Sequence, residues 1–223
     1  MKNHIPLLVS ALLALAGTHS QAQTLNWGSE VMSSMVDSEG AALDENTFIF
    51  ELGSFANGFT PDADNVDSWI ANWQVFDRAA YDQGYGVFTS SVQILNDGTS
   101  NSTFETPLAQ SFAGLEAYLW VRNDDNPVEG SEWLLTRATN WVFPTPDPTD
   151  DCCDTGIVEW SVSDLDGGNI PVWGGQDGVN GSGYHTDNGI YTLQTFTFVP
   201  EPSSTLLAGL AGVLLLLRRR RDD

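Results

Sequence analysis

Between Gln23 and Pro200 the sequence has no lysine and only three arginines, Arg78, Arg122 and Arg137. The same stretch carries 27 aspartates and glutamates. A surface so short of positive charge repels nucleic acid and anionic lipid, because proteins bind both by neutralising phosphate with cations. No nucleic-acid partner is expected. The acidity itself has two readings. One is solubility in salty surroundings, where screening acts within about 10 Å. The other is that some carboxylates hold divalent cations.

Cysteine is nearly absent. Cys152 and Cys153 are the only two, side by side in DPTDDCCDTG. A disulfide scaffold is thereby excluded. Neighbouring Cα atoms lie about 3.8 Å apart, whereas ordinary disulfides span about 4.4–6.8 Å. A bond between these two would pin one tight turn and close no loop. The pair is read as a vicinal disulfide or as unmodified thiols, with a link to another chain as a further alternative. No redox catalysis is expected, and no further Cys or His cluster completes a zinc shell.

Histidine is scarce too. Beyond residue 22 only His185 occurs, in the turn-like GSGYHTDNG. There is no G-x-S-x-G elbow and no phosphate-binding glycine pattern. No catalytic residue is assigned, and the chain is not expected to be an enzyme. Repeats with a period of 20–50 residues are not evident either.

No apolar run reaches the 18 or more residues of an ordinary membrane helix. Two shorter runs occur, one near each end. At the first, Lys2 precedes an apolar stretch from Ile5 to Ala16, and Ser20 and Ala22 supply the small side chains a signal peptidase needs. This predicts a secretory signal over residues 1–22, cut by signal peptidase between Ala22 and Gln23. The second run, Thr205 to Leu217, has 13 residues. As a helix it would reach about 20 Å, short of the roughly 30 Å hydrocarbon core. Arg218, Arg219, Arg220 and Arg221 follow it and form a stop-transfer signal. A short, imperfect anchor suits a transient sorting tail, by analogy with removable lipid-anchor signals.

Between these ends the pattern is mostly β. NTFIFELGSF alternates Phe48, Phe50 and Leu52 on one face. GVFTSSVQIL stops at NDGTSN, where Asp97-Gly98 signals a hairpin turn. In EAYLWVRND, Tyr118 and Trp120 lie opposite Leu119 and Val121. EWLLTRA, NWVFP, IVEWSVSD and IYTLQTFTFV read as strands bounded by turn residues. MSSMVDSEGAALDE reads as a hairpin turning at Ser38-Glu39-Gly40. One stretch, DNVDSWIANWQVFDRAAYD, has helical spacing through Trp69, Ile70, Trp73 and Phe76, with Asp67 or Ser68 as its cap. Its aromatic stripe and most of the eight tryptophans are expected to pack the core.

Two acidic stretches are weak calcium candidates. PDADNVD offers Asp62, Asp64 and Asp67, and SDLDGGN offers Asp164, Asp166 and Asn169. Alternating oxygens suit a hard cation, although neither stretch completes an EF-hand loop. The competing reading is turn chemistry, with Asp and Asn bonding their own backbone. No cofactor other than calcium is suggested by the sequence. Trp173, in IPVWGGQDG, is the candidate aromatic platform for a sugar ring.

The C-terminus is the most specific feature. Val199, Pro200, Glu201, Pro202 and Ser203, then the apolar run, then the arginine block, closely resemble the PEP-CTERM protein-sorting domain. That family occurs in Gram-negative bacteria that make exopolysaccharide. What the resemblance implies is recognition by an exosortase, a membrane transpeptidase-like enzyme acting near the Pro-Glu-Pro. It further implies a transient inner-membrane stage, then the cell surface or the extracellular matrix. The segments FELGSFANGFTP, EWLLTRA and VEWSVSDLD are similar to a β-rich ectodomain that recurs among such proteins.

The reading is a signal peptide over 1–22 and an all-β ectodomain over 23–198, a sandwich or jelly roll with one short helix. A sorting tail follows over 199–223, with its motif at 199–203, a hydrophobic helix at 205–217 and a basic end at 218–221. The expected role is a surface or matrix-associated structural or interaction protein of an exopolysaccharide (biofilm) matrix. One alternative is a carbohydrate-binding module for extracellular polysaccharide. Another is a secreted glycoside hydrolase, whose paired carboxylates would lie about 5 Å or about 6.5–9.5 Å apart.

Overall fold

The computed structural model describes residues 22–30, 33–106, 111–145, 156–165, 171–176 and 191–198. The described strands are β1 (Ala22–Gly28), β2 (Ser33–Val36), β3 (Ile49–Phe55), β4 (Trp73–Asp82), β5 (Val87–Leu95) and β6 (Tyr118–Arg122). They continue with β7 (Glu132–Thr136), β8 (Val158–Ser161), β9 (Gly175–Gln176), β10 (Tyr191–Gln194) and β11 (Phe196–Thr197). Eight of them form one sheet in the order β11-β7-β6-β3-β4-β5-β1-β8, and β2-β10-β9 form a second. The fold is mostly β with one short helix, as the strand and turn signals predict.

The large sheet curls upon itself in a sandwich-like arrangement. Its core shows the curl: Leu25 and Trp27 of β1, Phe88 of β5, Leu119 of β6 and Leu134 of β7 all enter one hydrophobic cluster. Strands from opposite ends of the sheet bury their faces together, which a flat sheet cannot do. Pairing is antiparallel throughout the sheet except for β1 beside β8, where Trp27 lies level with Trp160. The strand expectations omit β1, yet it is internal, with β5 on its other side.

A second, aromatic cluster lies on the other face. It holds Phe55, Trp69, Trp73, Tyr118, Trp120 and Trp133, among others. The expected alternation in β6 separates the two: Leu119 and Val121 enter the first cluster, Tyr118 and Trp120 the second. A 3-10 turn (Ala63–Ser68) leads into the helix α1 (Trp69–Asn72), and its Val66 and Trp69 pack into the aromatic cluster.

Here the helical expectation needs correcting. The helix ends at Asn72, and Trp73 and Phe76 stand on β4. The cap also differs. Asp62, not Asp67 or Ser68, caps the turn through a reciprocal pair with Asn65, and Ser68 makes no side-chain cap. The physical reason is a bulge. Between Leu52 and Gly53 the β3–β4 register skips Phe76, so Leu52 faces Asp77 and Gly53 faces Val75. A bulge flips the faces of a strand. Trp73 and Val75 therefore serve the aromatic cluster, while Phe76, Ala79 and Tyr81 serve the main one. A strand that changes face imitates 3–4 spacing in sequence. Gly53 makes room for the bulge: a Cβ there would lie 2.2 Å from the Gln74 carbonyl oxygen.

Other turn expectations meet their geometry. Gly98 has φ +80°, and its turn brings Ser100 back to bridge Ile94. The chain after β2 turns through Gly40 to a bridge between Val36 and Ala42. NWVFP is not a strand; it contributes the isolated bridge of Val142 to Glu116.

Candidate functional site

Of the described carboxylates of the calcium candidates, Asp62 and Asp164 are engaged in local hydrogen bonds, while Asp64 and Asp67 are exposed. Asp62 accepts from the Asp64 N–H at 3.0 Å, and the Asp62 N–H donates to Asn65 Oδ1 at 2.9 Å. Asn65 Oδ1 also accepts from Trp69 Nε1 at 2.7 Å, so this loop positions Trp69 in the aromatic cluster. Asp164 Oδ2 accepts from the Ser161 N–H and from Trp141 Nε1, both at 3.0 Å. Among the described residues no three His, Cys, Asp or Glu side chains converge as a metal site. Asp166, Asn169, Cys152, Cys153 and His185 lie outside the described residues. At the expected signal cleavage, Ala22 of β1 pairs with Leu95 of β5, and Gln23 Nε2 donates to the Gly156 carbonyl at 3.1 Å.

Sequence reasoning missed the central polar network. Glu51 is wholly buried on the aromatic face. Its carboxylate accepts from Arg122 Nη1 and Arg78 Nη2, each at 2.6 Å, and from Trp73 Nε1 at 2.8 Å. Arg122 reaches Asp125 as well, at 2.8 Å. The third arginine, Arg137, pairs with Glu116 at 3.2 Å. Each guanidinium also lies over a ring: Arg78 over Phe104, Arg122 over Trp120 and Arg137 over Tyr118. The scarcity of arginine was the available signal, since three cations among so many carboxylates are free to take only the most favourable partners. Of these charged groups only Glu51 and Arg122 are buried; Arg78 and Arg137 stay 36% and 32% exposed.

Two further groups show how polar atoms are handled inside. Asp77, 4% exposed, accepts from Trp27 Nε1 at 2.8 Å and from the Ser102 hydroxyl at 2.6 Å. Tyr118 donates its hydroxyl to Glu116 at 3.1 Å. Burial, reinforced by the Glu116 charge, pushes its phenol up to about 12, so it stays a neutral donor at any ordinary pH.

Seven of the eight tryptophans are buried, as core packing predicts; Trp173 is the half-buried one. Its backbone bridges Leu135, its Nε1 donates to the Phe196 carbonyl at 3.2 Å, and its ring lies 5.9 Å from that of Phe198. Pro171, Val172, Trp173, Gly174 and Phe196 line a pocket of about 220 Å3. Small-molecule sites start at roughly 300 Å3, so this one suits a single ring or residue.

The described chain ends at Phe198. Its N–H donates to the Ser131 carbonyl at 2.6 Å, and its ring packs on Trp133 and Trp173. Residues 198–221 match the family model of the PEP-CTERM protein-sorting motif. No curated protein and no solved structure matches the chain. The match defines a class first, that of exported substrates held at the membrane while they are sorted. More particularly, the chain carries a PEP-CTERM protein-sorting motif, which implies export, a membrane-held sorting stage and processing by an exosortase. Among the described residues no helix is long and apolar enough to cross a membrane; the Thr205–Leu217 run lies outside them.

Proposed function

We propose that the ectodomain is a non-catalytic structural or interaction domain of the cell surface and its extracellular matrix. The observation that carries this reading is the placement of charge. All three arginines of the domain are committed to ion pairs and aromatic rings. Arg122 is buried, while Arg78 and Arg137 remain 36% and 32% exposed but are paired with carboxylates, so carboxylates dominate the surface charge. Such a surface stays soluble at high protein density and associates through cationic groups or bridging divalent ions rather than through lipid. The test is co-sedimentation of the purified mature ectodomain with matrix extracted from the producing cells, across a salt series. Retention that falls as salt rises is expected. No retention at any salt, or new reducing ends from a polysaccharide panel, would overturn it.

The half-buried Trp173 favours a second reading, a carbohydrate-binding module. A ring flanked by Phe196 and Val172 offers an apolar face for one sugar. Trp173→Ala would then abolish polysaccharide binding while the salt-dependent retention persisted.

A further inference from the structure

The sorting motif and the folded domain share a residue. The family match begins at Phe198, and Phe198 is still tied to the sheet through Ser131, Trp133 and Trp173. Only Val199 separates it from Pro200, and only the six residues Val199–Ser204 separate it from the apolar run. Six residues reach at most about 20 Å when fully extended. Roughly 5–8 Å of that is taken up by the headgroup layer on one side of the bilayer. An enzyme that recognises an extended peptide encloses its main chain and reads side chains on alternate sides. With β11 in place, the domain occupies the space one residue before Pro200.

β11 is also the element best placed to yield. It is two residues long, lies at the end of the eight-stranded sheet and pairs on one side only, Phe196 with Trp133 and Thr197 with Glu132. Its main clamp is the Glu132 carboxylate, which accepts from the Thr197 hydroxyl at 2.7 Å, from the Thr195 hydroxyl at 2.7 Å and from Ser38. Beyond it the chain is held more firmly. Thr195 donates its N–H to the Val36 carbonyl at 3.0 Å, and β10 lies between β2 and β9. Short edge segments with few partners open locally at low cost, whereas internal strands do not.

We infer that processing at the Pro-Glu-Pro proceeds through an opened state in which Phe196–Phe198 leave the sheet edge. Opening as far as Thr195 frees three residues and adds about 10 Å of chain. The Glu132 clamp and the Phe198 packing therefore set how fast a folded, membrane-held precursor is matured.

The experiment is pulse-chase of the full chain in cells that contain the sorting enzyme, following the mass change from precursor to mature form. Phe198→Ser, which weakens the packing, should mature several-fold faster. Glu132→Cys with Thr197→Cys, in a Cys152→Ser, Cys153→Ser background, joins two facing residues across the strand pair. With its cross-link confirmed by mass spectrometry, this variant should mature several-fold slower. A ten-residue Gly-Ser spacer between Phe198 and Val199 should restore the cross-linked chain to the parent rate or above. Equal maturation rates for the cross-linked chain with and without the spacer would overturn the inference. So would a cross-linked chain that matures as fast as its parent, whatever the fold of Phe198→Ser.

Discussion

Glu51 on β3 and Arg122 on β6 meet at 2.6 Å, with 0% and 4% of their side chains exposed. They are 71 positions apart in sequence. They meet because Ile49 pairs with Arg122 and Glu51 with Trp120, which puts both charges on the aromatic face. A buried pair of this kind is costly to break from one side, because the remaining charge keeps its desolvation penalty without its partner. Glu51→Leu should lower stability by about 3–5 kcal/mol, measured by urea unfolding. Glu51→Leu with Arg122→Met should recover only part of that loss, because Trp73 Nε1 and Arg78 also lose their acceptor. A double variant no more stable than the single one would show that those two donors, and not Arg122, carry the effect.

Trp120 and Trp133 provide a matched comparison. Both are fully buried, and their rings touch at 5.2 Å. Trp133 Nε1 donates to the Asp124 carbonyl at 2.9 Å, whereas Trp120 Nε1 has no partner among the described residues. Substitution by Phe removes the same volume from each. Trp133→Phe should therefore cost about 1 kcal/mol more than Trp120→Phe, the net worth of one hydrogen bond. Parallel denaturant curves on the two variants measure the difference directly.

The bulge makes Gly53 intolerant of a side chain. A Cβ would meet the Gln74 carbonyl oxygen at 2.2 Å and the Trp73 ring at 2.7 Å. Gly53→Ala should destabilise the domain by about 1–3 kcal/mol through overpacking. Near-ultraviolet circular dichroism should change with it, because Trp73 must shift. A variant of parental stability and spectrum would mean that the sheet accommodates the methyl by moving β3 away from β4.

Tyr118 carries an alkaline signature. Its phenol is pushed up to about 12, chiefly by burial and then by Glu116, against about 10 in an unfolded chain. The raised value favours the neutral phenol in the folded state. Its stabilising contribution is complete below about pH 10 and declines as pH rises from there towards about 12. Urea midpoints measured from pH 9 upward should fall over that range, and less steeply in Tyr118→Phe. Absorbance at the phenolate band should show this tyrosine ionising late; burial raises the Tyr81 phenol as well.

Much of the architecture was legible along the chain. The alternation of Leu119 and Val121 against Tyr118 and Trp120 is a local pattern of period two, and β6 divides those residues between the two cores as read. Asp97-Gly98 and Ser38-Glu39-Gly40 announce turns by backbone preference alone, and both positions turn. Where reading failed, the missing information was not local. Trp73 and Phe76 extend the helical spacing of Trp69 past the end of α1 only because a bulge moves β4 from one face to the other, and a bulge is a property of two strands together. β1 has just Leu25 and Trp27 as inward positions, too few to stand out without β5 and β8 beside it.

By itself the sequence determined the address and the character of this protein. Its sorting motif, its acidity and its strand and turn chemistry depend on contiguous residues, so they can be read without a fold. Only the tertiary structure decided where its few cations go, which face each aromatic takes and how closely the sorting motif abuts the domain. Those outcomes depend on strand register, which brings Glu51 to Arg122 and Phe198 to Ser131. Register follows from burying two faces of one curled sheet at once.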